Sequence, residues 1–112
     1  MMAGRRGRRT TALDLMSEKD WVTWIIRAAQ LNGWNAWHPL PARTKDGWRT
    51  LGQGNPGAPD IWLARNGVVM GSEAKTNTGR VEPEQRYWLD KLGPHGYLWR
   101  PRDRDSVLEL LQ

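Results

Sequence analysis

The sequence predicts a small α/β domain, a mixed β-sheet flanked by helices, and three observations point to it. The 112 residues are 38% hydrophobic and 26% charged, enough for one core and too few for two domains. Asn66-Gly67, the strongest two-residue hairpin signal, joins two short apolar runs. Around that hairpin, patterns follow in the order helix, strand, hairpin, helix, strand, helix. There is no internal repeat and no linker. Residues 14–112 are therefore expected to form one domain behind a disordered, Arg-rich tail at residues 1–13.

The first helix is expected to begin near Ser17. Its hydroxyl can cap, Asp20 stands three residues on, and Gly33 is a suitable stop. At about 100° per residue, Trp21, Val22, Ile25 and Ala29 share a narrow arc, with Lys19, Thr23, Arg27 and Gln30 opposite. Trp34 to Leu40 reads as a first strand, ended by Pro39 and Pro41. Residues 42–59 hold four glycines and two prolines and read as a long irregular loop, within which Trp48 to Leu51 can pair as a strand. A loop of that length in a small domain is usually functional. Asp60 to Ala64 and Val68 to Lys75 form the hairpin, closed by Asn77-Thr78-Gly79. Pro83 suits the first position of a second helix, Glu82 and Glu84 favour its N-terminal turn, and Gly93-Pro94 stops it. Tyr97-Leu98-Trp99 reads as a further strand. Asp105 is expected to cap a last helix that turns Val107, Leu108, Leu110 and Leu111 inward.

Composition removes several function classes. With no cysteine there are no disulfides, no Cys zinc sites and no thiol nucleophile. His38 and His95 are the only histidines and do not form a His-Glu-x-x-His pattern, so a metal would be held mainly by carboxylates. The mean hydropathy of -0.74 and the lack of a long apolar run argue against a membrane span. Ala12-Leu13 is followed at once by Asp14, so no secretion signal is seen and an intracellular, cytoplasmic setting is expected. Lys and Arg number 17 against 12 acids, a net charge of +5. Setting aside Arg5, Arg6, Arg8 and Arg9 leaves 13 against 12, so the body is nearly neutral and the tail strongly basic. Such an arm either binds phosphates or is simply a basic, unstructured start.

The hairpin register carries the chemistry. A two-residue turn at Asn66-Gly67 sets Arg65 opposite Val68 and, in the same register, Asp60 opposite Glu73. Strand alternation puts Lys75 on the side of Glu73. Opposed carboxylates repel, and folding alone does not call for them. A bridging divalent cation accounts for the pair, and all-oxygen ligands select Mg²⁺ or Mn²⁺. The lysine adds positive charge where a phosphate or attacking water would sit. The plainer alternative is an exposed Glu73–Lys75 pair on an edge strand, with Asp60 capping a turn after Pro59. Glu18 also stands out, in the middle of the apolar arc of the first helix. It either aims at a site or is a favourable first-turn acid reaching solvent.

Together these residues resemble a known family. Gly57-Ala58-Pro59-Asp60, then Glu73-Ala74-Lys75 after a short hairpin, are similar to the PD-(D/E)xK nuclease signature. More narrowly, residues 17–112 resemble a stand-alone VRR-NUC domain, the virus-type replication and repair nuclease module found in phages. Glu18 matches the acid of that family's first helix. Gly79-Arg80 before a helix carrying Gln85 matches its turn and helix, and the turn from Gly93 to Gly96 leads to its last strand. The resemblance implies a restriction-endonuclease-like core and a Mg²⁺- or Mn²⁺-dependent DNA endonuclease. Asp60 and Glu73 would be the principal metal ligands, joined by Glu18 and the backbone carbonyl of Ala74. Lys75 would orient the attacking water and stabilise the phosphorane. Gln85 would face the site and position water, Lys75 or a phosphate; otherwise it is an ordinary surface residue. The resemblance further implies branched DNA, such as a Holliday junction, cut by a homodimer, and a nicking nuclease without junction preference is the variant. Ala74 departs from the pattern, where a bulkier apolar residue is expected, and Glu82 and Glu84 put two acids near the substrate path.

Candidate DNA contacts surround these positions. Trp48 lies in the Gly-rich loop with Arg43, Lys45 and Arg49 and either stacks on an unpaired base or packs over the sheet edge. Arg80 and Arg86 flank the proposed site and can hold phosphates. With no Phe in the chain, Trp21, Trp62 and Trp88 are expected to fill the core. His38 is either a proton carrier or a strand residue beside Pro39, and His95 is expected in solvent. From a different class, a non-catalytic nucleic-acid-binding protein would use the tail for affinity and keep Asp60, Glu73 and Lys75 without purpose.

Overall fold

The Ser17 hydroxyl accepts the Asp20 N–H (3.1 Å) and so opens α1 (Glu18–Leu31). The computed structural model describes residues 15–49 and 52–112. After α1 come β1 (Asn35–Trp37), β2 (Ala42–Thr44), β3 (Gly47–Arg49), β4 (Ile61–Arg65), β5 (Val68–Ala74), α2 (Pro83–Leu92), β6 (Gly96–Trp99) and α3 (Arg104–Leu111). The main sheet has the order β1-β4-β5-β6, and β2 and β3 form a separate two-stranded ribbon. Neighbours are antiparallel except β5 and β6, which run parallel because α2 crosses over between them. The fold is thus α/β with a mixed four-stranded sheet and three helices among the described residues.

The turn chemistry behaves as the residues dictate. Asn66 and Gly67 both have positive φ (51° and 82°), as a type I′ turn requires. The register runs from Arg65↔Val68 to Ile61↔Ser72. Ile61, Leu63, Met70 and Ala74 therefore share one face, and they join the buried stripe of α1 and Val107 and Leu111 of α3 in one core. The opposite face receives α2. There Gly71 pairs with Gly96. A Cβ on Gly96 would fall 2.8 Å from the Leu89 carbonyl oxygen, and one on Gly71 would fall 2.9 Å from Leu92 Cδ1. These two glycines let the helix lie directly on the strands.

Tryptophan is the large filler, and two of the buried indoles spend their N–H on backbone carbonyls. Trp21 Nε1 donates to the Trp99 carbonyl and Trp34 Nε1 to the Leu111 carbonyl, both at 2.9 Å. The Trp99 carbonyl also accepts the Lys75 N–H (3.1 Å). Arg65 lies 4.3 Å above the Trp34 ring and donates to the carbonyls of Asn32, Leu111 and Gln112.

Several expectations need correction. The first strand is three residues, not Trp34 to Leu40: Trp34 is buried against α3, and Pro39 and Pro41 offer no N–H to a ladder. Residues 42–59 are not wholly irregular, because β2 and β3 pair across Lys45-Asp46, with Thr44 Oγ1 donating to the Gly47 carbonyl (2.8 Å). The strand there is Gly47–Arg49; residues 50 and 51 lie outside the described residues. Asp105 does not cap the last helix. A 3-10 turn at Pro101–Asp103 precedes it, and Asp103 Oδ2 accepts the Arg100 N–H (2.9 Å), so α3 starts at Arg104. Only Val107 and Leu111 of α3 are buried; Leu108 and Leu110 remain 37% and 39% exposed. Trp21 is core, whereas Trp62 and Trp88 are half-buried and meet edge to face at 6.4 Å. The tail with Arg5, Arg6, Arg8 and Arg9 lies outside the described residues. No helix among the described residues is long and apolar enough to cross a membrane.

Because the Leu89 backbone must retreat to admit a methyl group, Gly96→Ala is expected to destabilise the fold by about 1–3 kcal/mol, measured by chemical denaturation.

Candidate active site

The site forms where β4 begins and β5 ends. Asp60 immediately precedes β4, and continuing the observed register sets it beside Glu73. Its Oδ2 accepts the Ala74 N–H (3.3 Å), which holds the carboxylate against the end of β5. Glu73 pairs with Leu98 on β6 and is 1% exposed, the one ionisable side chain among the described residues that the fold buries completely. Ala74 pairs with Trp99 and is itself buried, which places its backbone between Glu73 and Lys75 in the sheet.

Gln85 explains how Glu73 is held. Its Oε1 accepts the Glu82 N–H at the start of α2 (2.8 Å). An N–H can only donate, so the other end of the amide must be the NH₂ group. That Nε2 donates to Glu73 Oε2 (2.9 Å). Both polar ends of Gln85 are thereby engaged, and it serves Glu73 as a positioning residue. Lys75 Nζ lies 3.9 Å from the same Oε2. Glu73 Oε1, by contrast, is buried and receives no hydrogen bond.

Burial raises the Glu73 carboxyl, and a hydrogen bond and charge repulsion from Asp60 raise it further, to about 9, against the attraction of Lys75. Glu18 is also raised, by loss of surrounding water and then by Asp60, opposed by Lys75 and His38. Glu18 thus stands within electrostatic reach of Asp60, Lys75 and His38, with its side chain exposed at the rim of the cleft. His38, one residue beyond β1, has Nδ1 2.8 Å from the Asp60 carbonyl oxygen. A carbonyl only accepts, so that ring nitrogen carries the proton.

Lys75 is tethered from two sides. Its N–H donates to the Trp99 carbonyl, and the turn that follows is gripped by Arg100, whose Nη1 donates to the carbonyls of Thr76 (2.6 Å) and Gly79 (2.8 Å). Arg100 was invisible to sequence reasoning, since an arginine after a strand carries no pattern of its own. A cleft of about 790 Å³ opens onto Asp60, lined by Glu18, Trp37, His38, Trp62 and Trp88 and by the segment 52–59. That segment packs on the first turn of α2, where a Cβ on Gly57 (φ +92°) would strike the Glu84 backbone at 2.7 Å. Trp37 was also missed as a cleft residue; strand alternation alone did not say which face it would take.

The orphan Glu73 Oε1, with Asp60 opposite it and hard oxygen donors throughout, fits a divalent cation such as Mg²⁺ or Mn²⁺. Among the described residues, no group of three or more His, Asp or Glu side chains converges on one point, so the donors form a carboxylate pair with Glu18 at the rim. The other candidates lie farther out. Trp48 is 65% exposed on the ribbon, with the Arg43 guanidinium 5.8 Å from its ring and Lys45 exposed at the turn; the Arg49 side chain lies outside the described part. Arg80 is exposed, its Nε 3.8 Å from Glu82, and Arg86 is exposed on α2. His95 is exposed, as expected. No protein-family model matches the chain, and no curated protein matches it.

Two measurements follow. Folded Glu73 keeps a proton that the unfolded chain releases near its ordinary 4.5, so its stabilising contribution is complete below that value and is lost as pH rises towards about 9. In metal-free buffer, stability should therefore fall across that window, by up to about 1.4 kcal/mol per pH unit for this one group, and Glu73→Gln should flatten the fall in denaturation curves at pH 5, 7 and 9. Second, millimolar Mg²⁺ or Mn²⁺ should raise the melting temperature by several degrees, and Asp60→Asn should abolish the rise.

Proposed function

We propose that this chain is a Mg²⁺- or Mn²⁺-dependent DNA endonuclease that hydrolyses phosphodiester bonds. One observation carries the proposal: a buried glutamate, opposed by an aspartate and flanked by a lysine, keeps one carboxylate oxygen without a donor. A fold tolerates such a group when something other than folding requires it.

Asp60 and Glu73 would hold the cation, with Glu18 and the Ala74 carbonyl completing its surroundings. The cation, when bound, lowers the pKa of water and neutralises charge on the scissile phosphate. Lys75 is placed to orient a water and to offset charge on the phosphorane. Gln85 keeps Glu73 in one rotamer by donating to Oε2, which leaves Oε1 free to act as a ligand. The restriction-endonuclease-like core belongs to the same proposal. Helix α1, the antiparallel β1-β4-β5 and the crossover of α2 to a parallel β6 support it. So do the positions of Asp60, Glu73 and Lys75 at the end of the central hairpin. The substrate proposed is branched DNA, cut in pairs by a homodimer.

The test is cleavage of labelled four-way junction, flap, duplex and single-stranded DNA with Mg²⁺, Mn²⁺ or EDTA. Wild type should cut only with metal, and Lys75→Ala should lose about 10²–10³-fold in rate with DNA binding intact. Gln85→Leu should cost about 10–100-fold in metal affinity or rate. Paired symmetrical cuts confined to the junction would mark a dimeric resolvase. Strong binding without cutting of any substrate would leave a non-catalytic nucleic-acid-binding protein in its place.

A further inference from the structure

The cleft that holds Asp60 continues into a second depression. A groove of about 860 Å³ runs between α1 and β1, floored by Val22, Ile26 and Ala36. Glu18, Trp37 and His38 line both, so groove and cleft form one trough. Trp37 stands at the junction. It pairs with Trp62 and so shares the face of the sheet away from the α1 core. It is 60% exposed, on a strand whose outer edge has no partner among the described residues. Its chain neighbour His38 is the residue bonded to the Asp60 carbonyl, and Trp37 and Asp60 line the same cleft.

Exposure of one aromatic is ordinary, but Trp37 lines both the groove and the cleft that holds Asp60, where its ring face can take a flat partner. The charge around the trough says what kind. The ribbon β2–β3 is joined to its walls at 38–41 and 52–59 and carries exposed Arg43, Lys45 and Trp48 beyond them; Lys19 lines the groove itself, and the acids of the trough, Glu18 and Asp60, are those proposed to take the cation. Cations that follow a backbone, interleaved with exposed aromatic rings, suit a nucleic-acid strand whose bases are unpaired. In a duplex the base faces are stacked on each other and cannot reach Trp37.

We infer that the trough binds an unpaired stretch of DNA strand, one base stacking on Trp37 and placing the adjoining phosphate at Asp60 and Glu73. This rests on the nuclease proposal for the phosphate, whereas the stacking itself does not. The site thus favours DNA with a gap, flap or open branch over continuous duplex.

The test separates the two. DNA carrying 2-aminopurine in a single-stranded gap is titrated, in EDTA, with wild type, Trp37→Ala and Trp37→Phe, against fully paired duplex of equal length. Wild type should quench the probe and prefer the gapped DNA. Trp37→Ala should lose the quench and about 5- to 150-fold in affinity for gapped DNA, and Trp37→Phe should recover part of both. Equal quenching and preference in Trp37→Ala, or equal binding of gapped and paired DNA by wild type, would overturn the inference. Cleavage with Mg²⁺ is read separately. Quenching that depends on Trp37 without any cutting would sink the nuclease and keep the stacking site. Cutting with unaltered preference in Trp37→Ala would do the reverse.

Discussion

The structure turns on a carboxyl group that is out of water. Glu73 lies on the middle of the sheet, under α2, and beside a second carboxylate. An isolated buried carboxylate costs several kcal/mol, so the group keeps its proton or finds a cation. Its surroundings supply only partial compensation. Gln85 gives one hydrogen bond, Lys75 a charge at 3.9 Å, and Asp60 an acceptor for the proton that Glu73 keeps, while no donor reaches Oε1. Once that proton leaves, two carboxylates face each other with one oxygen lacking a donor.

Delivering Gln85 to that carboxyl depends on features remote from it. The helix must lie close on the sheet, which Gly71 and Gly96 allow by having no side chain between strand and helix. Its first turn must be fixed, which Gln85 itself achieves by accepting the Glu82 N–H. The segment before Asp60 must follow the helix, and Gly57 lets its backbone pass against Glu84. On the far side, Arg100 closes the turn that follows Lys75. The candidate site thus centres on three residues, Asp60, Glu73 and Lys75, and the backbone that aims them occupies most of the chain from 57 to 100.

Much of this was legible because short-range rules fixed it. Asn66-Gly67 permits one register, and that register alone brings Asp60 to Glu73. Pro83 and Gly93 bracket α2 because one tolerates and the other ends a helix. What escaped lacks a local rule. The β2–β3 ribbon hides among glycines, and β1 is shortened because Trp34 goes to the core instead of the ladder. The start of α3 moved because Asp103 satisfies the Arg100 N–H in a 3-10 turn, an alternative that Asp105 made hard to see. Glu18 read as ambiguous from periodicity, and only the tertiary placement of Asp60, Lys75 and His38 around it gave it an electrostatic role. Gln85 was expected at the site, but which end of its amide faced Glu73 depended on a backbone N–H three residues away.

The Trp99 carbonyl has a consequence for motion. One oxygen accepts both the indole N–H of Trp21, at the heart of the core, and the backbone N–H of Lys75. The lysine backbone is thus anchored on the same oxygen that fastens α1 to β6. A segment joined to a core strand in this way opens less readily than a free binding loop. Amide hydrogen exchange at Lys75 should follow global unfolding, with the protection of a core strand. The end of the hairpin that carries Lys75 is held by the same oxygen as the core, and adaptation to a ligand falls to the segments that wall the cleft.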